Sequence, residues 1–206
     1  MRFLPCGLGA VLVELDDAAT RRRLDAALRA HPVDGVREHV PAARTVLLVL
    51  EPGADAGAVT ARVRSLPLAE DAGAADEAEP VELPVRYDGE DLAEVAATLG
   101  MTPAEVVTRH TGQVWTVEFC GFAPGFGYLT GEAGDLVVPR RRDPRPRIPA
   151  GAVALADQYT GVYPRSSPGG WQLIGTTTVA MWDTARPSPA LLAPGTRVRF
   201  VDEDHA

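Results

Sequence analysis

Residues 114–129 read Val114-Trp115-Thr116-Val117-Glu118-Phe119-Cys120-Gly121-Phe122-Ala123-Pro124-Gly125-Phe126-Gly127-Tyr128-Leu129. A β-branched and aromatic run ends at a loop of Gly, Pro and large rings. Such a run is too short for a helix that must bury one face and suits a strand. The pattern recurs downstream at Leu136 to Val138, Val153 to Ala156, Trp171 to Ile174, Val179 to Trp182 and Arg197 to Val201, each bounded by Gly or Pro. Short, regularly spaced strands with this punctuation predict a β-barrel or sandwich.

Upstream of that stretch the periodicity changes. Thr102-Pro103-Ala104-Glu105 combines a capping box with Pro at the first helical position, so a helix runs from there to about Gly112. Asp91 to Leu99 reads as a helix before it, and Val81 to Val85 as a strand. Ala69 to Pro80 has no periodicity, and its acids repel one another, which marks a solvated linker. The first third alternates at Val11, Val13 and Leu15. Asp16 or Asp17 caps a helix to about Ala30, with Leu24, Ala27 and Leu28 on one face. Strands follow at Val36 to Val40 and Thr45 to Leu50, then a helix over Asp55 to Leu66. This β-α-β-β-α order is that of a split βαβ, ferredoxin-like layer. The expected class is α+β: an N-terminal α/β domain over 1–68, a linker over 69–80 and a barrel domain over 81–206.

The 206 residues carry a formal charge of -8, with 46% hydrophobic and 23% charged residues. A nucleic-acid scaffold needs a basic face, so that class is excluded. All 20 basic residues are Arg. Without Lys, neither a Walker phosphate loop nor a Schiff-base enzyme can be built, and an anion must be held by Arg or backbone N–H groups. Cys6 and Cys120 do not make a disulfide scaffold, and the four His show no metal-ligand spacing. The longest apolar run, Val46 to Leu50, is far short of a membrane span, so a cytoplasmic location and no membrane partner are expected.

Three segments stand out chemically. In Cys120 to Leu129, Gly and Pro fix a loop whose rings wall a pocket, an interface or the barrel core. In Pro139 to Arg147, proline stiffens an arginine-rich stretch. Arg140 and Arg147, next to predicted strands, are candidates for gripping a carboxylate or phosphate, whereas Arg141, Arg142 and Arg145 read as solvated. Asp157 to Gly175 mixes hydroxyls, an amide and Arg, groups that orient a polar ligand. His110 ends a predicted helix, where the dipole favours the imidazolium, as a general acid or base or as a surface cap. No nucleophile elbow is present.

Taken in order, His110-Thr111-Gly112, Gly121-Phe122-Ala123-Pro124-Gly125-Phe126 with Tyr128-Leu129, Pro139-Arg140-Arg141, Arg147-Ile148-Pro149-Ala150-Gly151-Ala152-Val153, Tyr159-Thr160-Gly161-Val162-Tyr163-Pro164 and Ser167-Pro168-Gly169-Gly170-Trp171-Gln172-Leu173-Ile174-Gly175 resemble the allophanate hydrolase subunit 1 family. That family includes the B subunit of 5-oxoprolinase and a sporulation-kinase inhibitor. The resemblance runs from about Val81 to Val201. It implies a cyclophilin-like β-barrel after the α/β domain, and ATP-dependent opening of 5-oxo-L-proline to L-glutamate. It also implies a heterodimer or heterotetramer with a protein like the C subunit of 5-oxoprolinase, from the allophanate hydrolase subunit 2 family, and a third, LamB/YcsF-like subunit. ATP with Mg would be shared with the partner. His110 and Arg147 are the catalytic candidates. Phe122, Pro124, Gly125, Phe126, Tyr128, Arg140, Gln158, Thr160, Tyr163 and Ser167 are the substrate-binding ones. The family often has Gly-Gly-Gln before the Thr-Gly pair, where this chain has Ala156-Asp157-Gln158-Tyr159, which shifts Gln158 from the usual register. Two further readings remain: a protein-binding module that inhibits a kinase, and half of a biotin-dependent carboxyltransferase.

Overall fold

Alternation in Ala10–Glu14 (β2) and Thr45–Leu50 (β4) decides the first layer, because Val11, Val13, Val46, Leu48 and Leu50 all fall on one face and are buried. The structure is a computed structural model describing residues 1–68 and 79–205. It divides into two compact units, Met1–Ala74 and Ala75–Ala206. Most of the expected linker over 69–80 lies outside the described residues.

In the first unit Arg2–Pro5 (β1), β2, β4 and Val36–Pro41 (β3) form an antiparallel sheet in the order β1-β2-β4-β3. Helices Ala18–Ala30 (α1) and Ala56–Arg64 (α2) are capped by Asp17 and Asp55, whose carboxylates accept first-turn backbone N–H groups. Leu24, Leu28, Val59 and Val63 fill the space against the sheet. The β2-α1-β3 unit with β4 inserted between its strands is the split βαβ expected. The ferredoxin-like order is not completed, because the sheet position beside β2 is taken by the N-terminal β1 rather than by a strand after α2.

The second unit is built on a seven-stranded sheet in the order β12-β9-β10-β7-β6-β13-β5. The strands are Val81–Val85 (β5), Trp115–Cys120 (β6), Gly127–Gly131 (β7), Ala152–Ala156 (β9), Tyr159–Val162 (β10), Gln172–Thr176 (β12) and Arg197–Asp202 (β13). Only β5 and β13 pair in parallel. Arg145–Ile148 (β8) and Ser167–Gly169 (β11) form a separate two-stranded ribbon. The sheet almost closes: Arg86, just past β5, exchanges backbone hydrogen bonds of 2.9 and 2.8 Å with Thr176 of β12. Leu92–Leu99 (α3) packs against β12, and Pro103–Thr111 (α4) against β13. The Thr102–Glu105 capping box at α4 is complete. Val117, Leu129, Val153, Leu155, Val162, Ile174 and Phe200 fill the interior.

Two expected strands are absent. Leu136 to Val138 and Val179 to Trp182 make only isolated bridges, Val138 to Asp157 and Trp182 to Ala190. Conversely, β7 and β10 run through stretches whose Gly content reads as loop. Their pairing partners, rather than their own propensity, make them strands.

The closing seam depends on close backbone approach. A Cβ on Gly89 would lie 2.3 Å from the Ile174 carbonyl carbon and 2.4 Å from the Leu173 oxygen. Neither backbone can yield without breaking the Gly89 N–H bond to Ile174 or the Asp91 N–H bond to Leu173. Gly89→Ala is therefore expected to destabilise the barrel by about 2–3 kcal/mol, read as a lowered urea midpoint. An unchanged midpoint contradicts this account of the seam.

Candidate functional site

Strand parity separates two environments. On β9, Val153 and Leu155 point into the barrel, while Ala152, Ala154 and Ala156 point outward, yet all five are buried. Small outward side chains leave room for large ones above them. Phe126, Tyr163 and Trp171 pack there, with Tyr128 and Tyr159 beside them. Phe126 meets Tyr128 edge-on at 5.1 Å, Tyr163 at 5.3 Å and Trp171 at 5.2 Å, and Tyr128 stacks on Phe119 at 4.4 Å. Gly161 of β10 admits the rings: a Cβ there would lie 3.1 Å from Phe126 and 3.2 Å from Trp171. The result is an aromatic cluster on the outer barrel wall, a bowl whose floor of Phe126, Tyr163 and Trp171 is buried and whose accessible rings are Phe122, Tyr128 and Tyr159.

The loop 121–126 forms the lip. Ala123 N–H donates to the Gly121 carbonyl at 2.6 Å and Phe126 N–H to the Ala123 carbonyl at 2.9 Å. Gly125 takes φ +83° against Trp182, and Phe122, a bulky residue, is held at φ +64°. That conformation is costly for a side chain with a Cβ and marks stored strain. Phe122 stays 57% exposed while its ring meets Phe126 and Tyr163 edge-on. Pro124 is exposed and Gly125 buried.

Arg140 lies beside the bowl. Burial pushes the Tyr163 hydroxyl up to about 12 and raises that of Tyr128, and in both cases the Arg140 charge pulls the other way. Both hydroxyls therefore stay protonated donors at neutral pH. Arg140 is exposed and has no acidic partner among the described residues. An exposed guanidinium beside aromatic side chains can take a compact, flat ligand with one anionic group.

The neighbouring arginines correct an expectation. Arg141 and Arg145 are not solvated; both bind Asp91, which is 3% exposed. Asp91 accepts from Arg141 Nη1 at 2.8 Å, Arg145 Nη1 at 2.9 Å, Arg145 Nη2 at 2.7 Å and the Leu173 N–H at 2.7 Å. Burial alone would raise the Asp91 carboxyl, but bonds from Arg145 and Leu173 and the charges of Arg145 and Arg141 outweigh it and hold the group below its ordinary value. Asp91 stands at the start of α3 but makes no side-chain cap there. An acid just before a helix reads as a cap in sequence. The signal against that reading is the arginine-rich loop downstream, which needs a counter-charge.

The remaining candidates scatter. Arg147 is exposed on β8, and its Nε donates to Ser166 Oγ at 3.2 Å. The Ser167 hydroxyl oxygen is buried with no hydrogen-bond partner among the described residues. Gln158 is exposed and donates to the Tyr159 hydroxyl at 3.2 Å.

His110 and Thr160 sit on the other face. Tyr159 points to the bowl, so its neighbour Thr160 points into the barrel, where both Thr160 and His110 are fully buried. Thr160 Oγ1 donates to the Ala154 carbonyl at 3.2 Å, so it accepts from His110 Nε2 at 2.9 Å, leaving Nδ1 to accept from the Tyr87 hydroxyl at 2.7 Å. Burial pushes the imidazole down to about 3. The expected imidazolium at a helix end is therefore corrected: desolvation exceeds the dipole, and the ring is neutral. The sheet separates His110 from the bowl.

Comparison with known proteins places this geometry in a lineage. Residues 1–192 match the family "Carboxyltransferase domain, subdomain C and D". The B subunit of 5-oxoprolinase from Escherichia coli O157:H7 is 48% identical over 126 residues, 60% of this chain and 58% of that protein. The chain thus aligns with little more than half the length of that curated relative. The crystal structure of TTHA0988 superposes with a TM-score of 0.77 at 40% identity, covering 94% of this chain and 40% of that one. The Kluyveromyces lactis urea amidolyase shares the fold, with a TM-score of 0.75 at 17% identity over 97% of this chain and 14% of that one. With the family matched across most of its length and both units described, the chain belongs to the carboxyltransferase domain, subdomain C and D family.

Proposed function

We propose that this chain is one subunit of an ATP-dependent 5-oxoprolinase and that the aromatic bowl with Arg140 holds 5-oxo-L-proline. The carrying observation is a guanidinium without an acidic partner among the described residues, set beside apolar rings, which matches a small ring bearing one carboxylate. The relative named as the B subunit of 5-oxoprolinase supports the choice of substrate. Arg140 would grip the carboxylate, and the accessible rings of Phe122, Tyr128 and Tyr159 would wall the lactam, backed by the buried Phe126 and Trp171. The protonated Tyr128 hydroxyl would orient the lactam oxygen.

ATP would phosphorylate that oxygen, with ADP leaving, and so make the lactam carbon a better electrophile. One water would add and the ring C–N bond would break to give γ-glutamyl phosphate, and a second water would hydrolyse that acyl phosphate to L-glutamate and inorganic phosphate. The triphosphate fits this chain poorly as sole host. It has no Lys, the usual point charge on a nucleotide's phosphates. Mg-ATP would then be held largely by a partner like the C subunit of 5-oxoprolinase, with a third subunit completing the reaction. Phe122 at 57% and Trp182 at 42% exposed flank one loop, apolar area suited to a protein contact.

The chain alone is expected to show no ATP-dependent glutamate formation from 5-oxoproline. Co-expressed with that partner and the LamB/YcsF-like protein, it is expected to co-elute with the former and to support turnover. Turnover by the chain alone overturns the need for a partner, and failure to associate at micromolar concentration overturns this reading in favour of a stand-alone binding module.

A further inference from the structure

We infer that Asp91 is a positioning residue for Arg140: it takes up the guanidiniums of Arg141 and Arg145, fixes the loop that carries Arg140, and leaves one arginine free for the ligand. This rests on the reading of Arg140 as the holder of the substrate's anionic group.

Arg140 has an anchor on each side. Before it, the Pro139 carbonyl accepts from Gln172 Nε2 at 3.2 Å, and Gln172 is itself buried. After it, the Arg141 N–H donates to the Gly170 carbonyl at 2.7 Å while its side chain reaches Asp91. Arg145 then returns the loop to the same carboxylate through two parallel bonds, with Glu90 on its Nε at 3.0 Å and Glu94 4.0 Å from Arg141. Through the Leu173 N–H, Asp91 also ties the loop to β12, directly after Trp171 and Gln172. One carboxylate therefore joins the start of α3, the arginine loop and the strand beside the bowl.

The charge arithmetic has the same consequence. Glu90, Asp91 and Glu94 face Arg141 and Arg145, so that pair offers no net positive charge to a ligand. Of these three arginines, Arg140 is the one left uncompensated, which favours a monocarboxylate over a polyphosphate at the bowl. A buried, bidentate acid is stiffer than an exposed pair, so the Arg140 backbone is set before the ligand arrives.

The test is a double-mutant cycle. Affinity for 5-oxo-L-proline is measured calorimetrically on the assembled complex for the wild type, Asp91→Asn, Arg140→Ala and the double variant. 2-Pyrrolidone, the same ring without a carboxylate, serves as a control probe. Asp91→Asn is expected to weaken 5-oxoproline binding about tenfold, to leave 2-pyrrolidone within twofold, and to have no further effect once Arg140 is Ala. Asp91→Glu is expected to restore part of the loss. In turnover, KM should rise about tenfold with kcat within twofold. Should Asp91→Asn fail to fold, Arg141→Met enters the same cycle with the same expected pattern.

Equal losses from Asp91→Asn in both backgrounds, or equal losses for both probes, would mean a deformed bowl and overturn the proposal. So would wild-type affinity in Asp91→Asn. Wild-type affinity in Arg140→Ala is a different result: it removes Arg140 as the anion holder, and with it anything for Asp91 to position.

Discussion

Arg140→Ala is expected to raise the KM for 5-oxoproline about 10- to 100-fold in the assembled complex, more than any other single arginine change. A lost charge-assisted bond to a bound carboxylate costs about 1.5–3 kcal/mol, which converts to that range. Arg140→Lys should recover only part of this, because an ammonium lacks the planar fork. The comparison arms give the test its force. Arg147→Ala removes an exposed side chain bonded to Ser166, and a change of less than about threefold is expected. Arg141→Ala loosens one arm of the Asp91 latch and should fall between the two. This order reverses what spacing alone suggests, where Arg147 enters a strand and Arg141 sits mid-loop. Equal kinetics for Arg140→Ala and Arg147→Ala would remove the bowl as the carboxylate site.

Sequence reading reaches as far as local signals do. Caps and periodic helices are legible because their signals are local: Asp17, Asp55 and the Thr102–Glu105 box sit where they are read. Strands with strong alternation or β-branched runs are legible for the same reason. β7 and β10 are not, since Gly127, Gly131 and Gly161 have poor local β-propensity and are held in the sheet by pairing on both sides. The bowl's rings are visible in sequence as an anomaly, but their common face is not. It depends on parity across β7, β9 and β10 and on a ribbon, β8 with β11, that packs outside the barrel. The Asp91 latch spans 50 to 82 positions of sequence, beyond any local pattern.

The same parity decides what His110 does. Adjacent residues on β10 face opposite ways, so Tyr159 belongs to the bowl and Thr160 to the interior, and His110 follows Thr160. The ring is enclosed by Tyr87, Trp115 and Phe200, with its carbonyl accepting from Trp115 Nε1 at 2.8 Å. Both ring nitrogens are used in the neutral form. The work of His110 is to join α4 to the barrel wall, and its side chain reaches no solvent from which to exchange protons with a ligand.

That placement has a large consequence for acid stability. The imidazole pKa is about 3 folded, against an ordinary 6.5, with burial as the cause. Below 6.5 the unfolded chain binds a proton that the folded chain refuses. The stability that His110 contributes is therefore complete above pH 6.5 and is lost as pH falls, by about 1.4 kcal/mol per unit, until the folded ring itself titrates near 3. Between pH 6.5 and 5 the expected loss is about 2 kcal/mol, in a window that carboxylates with ordinary values near 4 hardly enter. Tryptophan fluorescence follows the relevant unit, since Trp115, Trp171 and Trp182 all lie in the second one with His110 and His205, while His31 and His39 lie in the first, and the His110 variant separates His110 from His205. In His110→Gln the amide can still donate to Thr160 and accept from Tyr87 but cannot be protonated. Its urea midpoint should start lower at pH 7.5 and fall less steeply with acid, by about one proton. A wild-type midpoint flat between pH 6.5 and 5, or a variant keeping the wild-type slope, would show that the buried imidazole is not the group that makes the barrel acid-sensitive.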